Sequence, residues 1–346
     1  MILYIHFGIY KAGSSYIQYI CANQRENLKN NGIYFPESKE DSKMLQGLIS
    51  KGNADGLEEA IKKVSTKKIK TILKVWYDKA ADLKTNAVLI SAEALVHQLA
   101  IQNRINLLIQ IAKDIGYTDI KAMGFFRDLV DHALSTYKHR SKSGRYPDYK
   151  YWIENHYETP EMLRKLITSI KSTTSNVEWT LRKFQKDSEF IKEAFFKDWL
   201  KIPIPNFHAR PNVNASVSLS EIKVLNHLKG VYPNVLDYFV NDFKTLPDSQ
   251  KADDKALSNY INTIFAGKLI FAQEVLNNLN DYLAANEKLN LGKPDNAKYI
   301  STEPDIKLSD NQCFVLSQRL SFFNSPKGKL IIVRRKIRRF IKFVLS

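Results

Sequence analysis

Residues 2–7 form a short apolar, partly β-branched run that stops at Gly8, and after a stretch of small residues the apolar positions take up helical spacing from about 14 to 30. This predicts a strand, a tight loop and a helix, with Asn31-Gly32 as the helix stop. Residues 33–36 lead into a second connection, and a polar-faced helical pattern covers 41–84. AVLI at 87–90 predicts a buried strand, with Ser91 capping the next helix. A helix over 104–115, a strand over 120–126, a helix over 128–140 and a late strand over 176–184 complete the alternation. Strands separated by long helical crossovers predict an α/β fold, a parallel sheet with helices on both faces. The segment 202–220, with Pro203, Pro205 and Pro211, reads as a loop. Helical patterns follow over 221–228, 235–243 and 255–286. The expected organisation is one domain over 1–326, with a sheet core over about 1–205 and a helical addition over about 206–326, and then a separate tail over 327–346.

In that tail, apolar residues at 330, 333, 337, 340, 341 and 344 follow a 3,4 spacing, with Arg334, Arg335, Arg338, Arg339 and Lys342 between them. A helix with one apolar and one cationic face is predicted. It either lies on an anionic membrane, each basic residue adding on the order of 1 kcal/mol, or packs its apolar face on the body. Charge sharpens this picture. The net charge is +16, and residues 327–346 hold eight basic residues and no acid, so half of the excess sits in the tail. A mildly basic remainder suits an anionic ligand. Charge alone would also suit a nucleic-acid-binding protein, but no recognised motif accompanies it, and no nucleic-acid partner is expected.

Composition excludes several classes. With 346 residues, 44% hydrophobic, 13 Gly and 11 Pro, the chain is neither disordered nor fibrous. Cys21 and Cys313 are too far apart in sequence for a disulfide framework or a spaced zinc site, so a reducing compartment and no metal are expected. No run of about 18 apolar residues predicts a spanning helix. MILYIHFG lacks a basic lead and reads as a first strand rather than a signal peptide, so the expected location is the cytoplasm.

The candidate chemistry lies after the first strand, where a loop and a helix N-terminus present free amides and a positive dipole end to a phosphate. The loop reads Gly8-Ile9-Tyr10-Lys11-Ala12-Gly13-Ser14-Ser15. A kinase P-loop would have Lys and Ser/Thr directly after Gly13. Here Lys11 precedes Gly13 by two residues and Ser14 stands in the lysine slot. This K-x-G-S-S order resembles the 5′-phosphosulfate loop of sulfotransferases that use 3′-phosphoadenosine 5′-phosphosulfate (PAPS). That family usually has an Arg at a later strand end and a Ser eight residues on, both binding the nucleotide 3′-phosphate. GFFRDLVDHALSTYKHRSK supplies Arg127 and Ser135 at that spacing. Taken singly, Arg127 could instead pair with Asp128 or Asp131, and Ser135 could be an ordinary helix residue. The segments NNGIYFP, LISAEAL, WTLRKF with FFKDWLKI, and NVNASVSLSEIKVLNHL look like parts of bacterial sulfotransferases that modify glycans or lipids. The RKGxxGxW segment of the cytosolic small-molecule enzymes has no counterpart, which leaves the adenine contacts open.

The resemblance implies a P-loop-like sheet, PAPS as donor and its bisphosphate, PAP, as product, without a metal. It also implies a carbohydrate or glycolipid acceptor. Residues 11–15 (Lys11, Ala12, Gly13, Ser14, Ser15) would hold the 5′-phosphosulfate, with Arg127 and Ser135 on the 3′-phosphate. Lys11 would meet the charge on the bridging oxygen. Glu93, after the AVLI strand, is the first candidate for a general base, or else it complements the helix dipole. His97, one turn on, is the reserve, and His6 reads as a packing residue. The Tyr-rich basic segment 138–150 either borders an acceptor cleft or is a solvated loop. The enzyme rival is a nucleotide-dependent kinase, disfavoured by the lysine position and by the lack of an obvious paired Asp for Mg²⁺.

Overall fold

The alternation resolves into a five-stranded parallel sheet of β1 (Ile2–Gly8), β2 (Ile33–Tyr34), β3 (Ala87–Ser91), β4 (Asp119–Phe126) and β5 (Glu178–Lys183), in the order β2-β3-β1-β4-β5. Helices flank the sheet, and the C-terminal part is helical. This computed structural model describes residues 1–141, 149–185, 187–206, 219–229, 269–284, 287–289 and 310–344. The expected helices at 235–243 and in the first part of 255–286 lie outside the described residues, and Leu269–Asn280 is helical.

β1 and β3 are buried on both faces, which is why they read as continuous apolar runs rather than as alternations. Register sets their neighbours: Phe7 lies opposite Gly124, and a Cβ on that glycine would stand 2.6 Å from the Phe7 ring. The room goes to Phe7, which meets Trp179 and Phe126 edge-on with centroids 5.9 and 6.2 Å away. On the other face, Tyr4 and His6 meet Trp199 and Phe195 at 5.1 and 5.2 Å. Those rings come from a π-helical stretch, Glu193–Trp199, that continues the helix Ser188–Lys192.

Two expectations change. The helical pattern over 41–84 is three helices, Asp41–Leu45, Asp55–Lys62 and Thr66–Asp82. Between the first two, Gly52 has a φ of +81°, and a Cβ there would lie 1.9 Å from the Ser91 carbonyl oxygen. The chain therefore runs against the end of β3, where Asn53 donates its amide to Ser91 O at 3.0 Å and accepts the Ser91 amide on Oδ1 at 2.7 Å. Ser91 is thereby kept in the strand, so it does not cap a helix, and the next helix is Leu95–Leu99. The helix Thr159–Thr173, which the pattern reading passed over, starts with Pro160 in its first turn.

By its contacts the chain forms two units. The first holds the sheet and comprises Met1–Leu129, Glu158–Asn214 and Leu269–Leu291. Its edge strand β5 is closed by Glu287, whose side chain accepts from Arg182 Nε at 2.7 Å and from the Lys183 amide at 3.0 Å. Arg182 also reaches Asp198 at 3.0 Å. An exposed strand edge is a template for unwanted pairing, and this carboxylate occupies one of its donors.

The second unit comprises Val130–Tyr157, Ala215–Lys268 and Gly292–Ser346. Val130, Ala133, Leu134 and Tyr137 recur at helical spacing along Leu129–Ser141 and pack with Trp152 and Phe323. Residues 142–148 of the Tyr-rich basic segment lie outside the described residues. The tail is helical over Pro326–Val344, with Pro326 at the first position and Ser325 Oγ accepting the Gly328 amide at 3.2 Å. Among the described residues no helix is long and apolar enough to cross a membrane.

Glu287→Ala is expected to lower unfolding free energy by about 2 kcal/mol, because it leaves the Lys183 amide without its acceptor and Arg182 with Asp198 alone. A urea midpoint equal to that of the parent would contradict this.

Candidate functional site

β1 leads away toward β2 on one side of the sheet and β4 leads toward β5 on the other. Loops that leave neighbouring strands in opposite directions open a crevice at the carboxyl edge, the usual ligand position in such sheets. Register places three loops there. Gly8 lies opposite Phe125, so Lys11 and Arg127 both follow just beyond the edge, and His6 lies opposite Ser91, so Glu93 follows two residues past it.

These three residues meet at one peptide segment. The Lys11 amide donates to Glu93 Oε1 at 3.1 Å, and the Lys11 carbonyl accepts from Arg127 Nη1 at 3.3 Å. Lys11 itself has a φ of +67°, a left-handed conformation that costs a non-glycine residue on the order of 1 kcal/mol. The two flanking side chains hold it there. Arg127 is in turn seated over the Phe184 ring, 5.3 Å from its centroid.

Gly13 is the second left-handed residue of the loop, with a φ of +87°, and it precedes the helix Ser14–Asn23. A Cβ at Gly13 would lie 2.8 Å from Phe184 Cε2 and 3.6 Å from Ile191, so glycine meets both a conformational and a packing demand. The Tyr16 amide turns back to Gly13 O at 2.9 Å, while the amides of Ser14 and Ser15 stand at the open end of the helix. Ser14 Oγ is buried and has no hydrogen-bond partner among the described residues. Ala12 is buried, and Ser15 is half-buried.

Glu93 is half-buried in the turn before Leu95–Leu99 rather than inside the helix. Loss of solvent raises its pKa from 4.5 to about 7, against the opposing pull of the Lys11 amide and ammonium. A carboxylate poised near neutrality can take a proton from a hydroxyl. His97 is exposed, its ring 5.5 Å from that of Tyr10 in the same loop. His6 is buried, with Nδ1 2.8 Å from Ser91 Oγ, and burial pushes its pKa down to about 3, so it stays neutral. Ser135 is half-buried on the Leu129–Ser141 helix, in the second unit.

The structure thus brings Lys11, Gly13, Ser14, Glu93 and Arg127 to one sheet edge. Phe184 and Asn53 also shape this edge, and the sequence reading named neither. Phe184 directly follows β5, a strand-end position where an aromatic after two cations is a usable signal. Nothing local marks Asn53, because its partner Ser91 is 38 residues away. Among the described residues no group of three or more His, Cys, Asp or Glu is placed to hold a metal ion. No protein-family model, curated protein or solved structure matches the chain.

Glu93 generates a pH prediction. A carboxyl whose pKa rises on folding stabilises the fold fully below its unfolded value of 4.5, and the contribution is lost as pH rises through about 7. His6 acts oppositely, its contribution being lost as pH falls from 6.5 toward about 3. The stability difference between the parent and Glu93→Gln should therefore change between pH 4.5 and about 7 and level off above that. Urea unfolding at a series of pH values checks it, and parallel curves would refute the assigned burial.

Proposed function

We propose that the chain is a PAPS-dependent sulfotransferase acting on a hydroxyl of a carbohydrate or glycolipid. The observation that carries the reading is the Lys11 segment, left-handed, pinned by Glu93 and Arg127, and followed by the open amides of a helix. Such a loop suits an anion, since left-handed turns and helix N-termini direct successive N–H groups to one side. The donor's fit is supported by the orphan Ser14 hydroxyl and by a Gly13 position that no side chain can fill. The acceptor class rests on the resemblance of segments such as LISAEAL to glycan- and lipid-modifying enzymes.

When bound, the donor supplies a sulfuryl group on a phosphosulfate anhydride. The residues then divide the work. Amides from Ala12 to Ser15 hold the 5′-phosphate. The Lys11 ammonium meets negative charge on the bridging oxygen as its bond to sulfur breaks. Glu93 removes the proton from the acceptor hydroxyl as the new oxygen–sulfur bond forms. Arg127 fixes the loop through its contact with Lys11 O, and its guanidinium supplies the cation that the reading assigns to the 3′-phosphate. His97 stands by as the alternative base. Two free cysteines accord with a cytoplasmic setting.

PAP should raise the melting temperature of the protein while ATP with Mg²⁺ leaves it unchanged; the reverse would favour a kinase. Transfer from labelled PAPS to glycan and lipid fractions identifies the acceptor. Lys11→Ala should cut transfer by at least about 10²-fold, and Arg127→Ala should weaken PAP binding by about tenfold or more.

The informative variant at the third position is Glu93→Gln. An amide oxygen still accepts the Lys11 N–H but cannot take the proton, so transfer should fall about 10²-fold with PAP affinity kept. A rate within a few-fold of the parent would remove Glu93 as base.

A further inference from the structure

The tail helix has two apolar faces rather than one. Leu330, Ile331, Ile332 and Val333 are consecutive, and at about 100° per residue four such side chains cannot point the same way. Ile331 and Ile332 pack against the core of the second unit, beside Phe323. Leu330, Val333 and Ile337 are not among the described residues that pack there. Each is about half exposed, at 50%, 50% and 52%, and their spacing of three and four residues puts them in one outward stripe. The packing that anchors the helix is therefore separate from the face left uncovered.

Charge says what the stripe fits. Lys327, Lys329, Arg334, Lys336 and Arg338 are exposed on the same helix, and by helical position Arg334 and Arg338 border the stripe on one side and Lys329 and Lys336 on the other. An apolar strip between two cationic rims matches a surface that is hydrocarbon beneath and anionic at its headgroups. A second copy of this chain would bring the same positive rims together, and a nucleic acid would leave the apolar strip in water. We propose that this outward face docks the chain on an anionic lipid surface, with the helix lying in the interface plane. Such docking goes beyond the sulfuryl-transfer reading and does not depend on it.

The test is flotation of the full chain with vesicles of phosphatidylcholine alone or with about a third phosphatidylserine. Binding should be at least about tenfold stronger to the anionic vesicles and should weaken as salt rises. Leu330→Gln/Val333→Gln/Ile337→Gln should lose most of it, and so should Arg334→Glu/Arg338→Glu. Circular dichroism and the melting temperature should match the parent in both, since neither set touches Ile331 or Ile332. Equal binding by the apolar triple variant would overturn the proposal, as would absence of binding to anionic vesicles at low salt. A dimer in sedimentation velocity that the triple variant abolishes would overturn it in favour of contact between copies.

Discussion

The peptide segment at Lys11 depends on being held at both of its polar groups. Its left-handed conformation is unfavourable for a side chain with a Cβ, and an isolated loop would relax from it. The Glu93 carboxylate takes the amide and the Arg127 guanidinium gives to the carbonyl, and the two come from different strand ends. A charge-assisted hydrogen bond contributes about 1.5–3 kcal/mol, so two of them exceed the conformational cost on the order of 1 kcal/mol. Loop shape is therefore a tertiary property of the sheet edge, and truncating either partner side chain releases the segment.

That arrangement requires the strand order. With β1 between β3 and β4, the loops after all three reach one edge, and none of the three residues needs a long side-chain excursion. The sheet beneath is stiffened where it matters. Gly124 yields space to Phe7, the Asn53 amide is folded onto Ser91, and His6 is kept neutral between Ser91 and Phe195. A neutral, buried imidazole two residues before Gly8 adds no charge under the loop. Glu93 accepts the Lys11 amide, and its desolvation raises the pKa that would make it useful as a base.

Much of this edge could be read from residue order, because strand-end positions are fixed by where apolar runs stop. Gly8, Lys11 and Gly13 follow the first run, Glu93 the second and Arg127 the third, and each lies within a few residues of a strand end. What the order does not encode is which partners reach across. Ser91 precedes a helical pattern, which is the chemistry of a helix cap. Asn53, distant in sequence, instead engages its backbone and keeps it in the strand. Phe184 is similar: its ring supports both Gly13 and Arg127, a tertiary contact that local periodicity cannot reveal. The first break in the helical pattern over 41–84 has the same origin, since Gly52 is fixed by contact with the end of β3.

The tail illustrates the converse limit of periodic reading. A 3,4 spacing selects Leu330, Val333 and Ile337 and implies a single apolar face, directed to a membrane or to the body. Ile331 and Ile332 fall outside the spacing, and they are the residues that join the core. Burial of that pair holds the helix, so the outward stripe contributes little to folding and its three half-exposed side chains must be explained by something else. Eight cations without an acid make self-packing of the stripe costly and leave an anionic, partly apolar surface as the partner with matching physics.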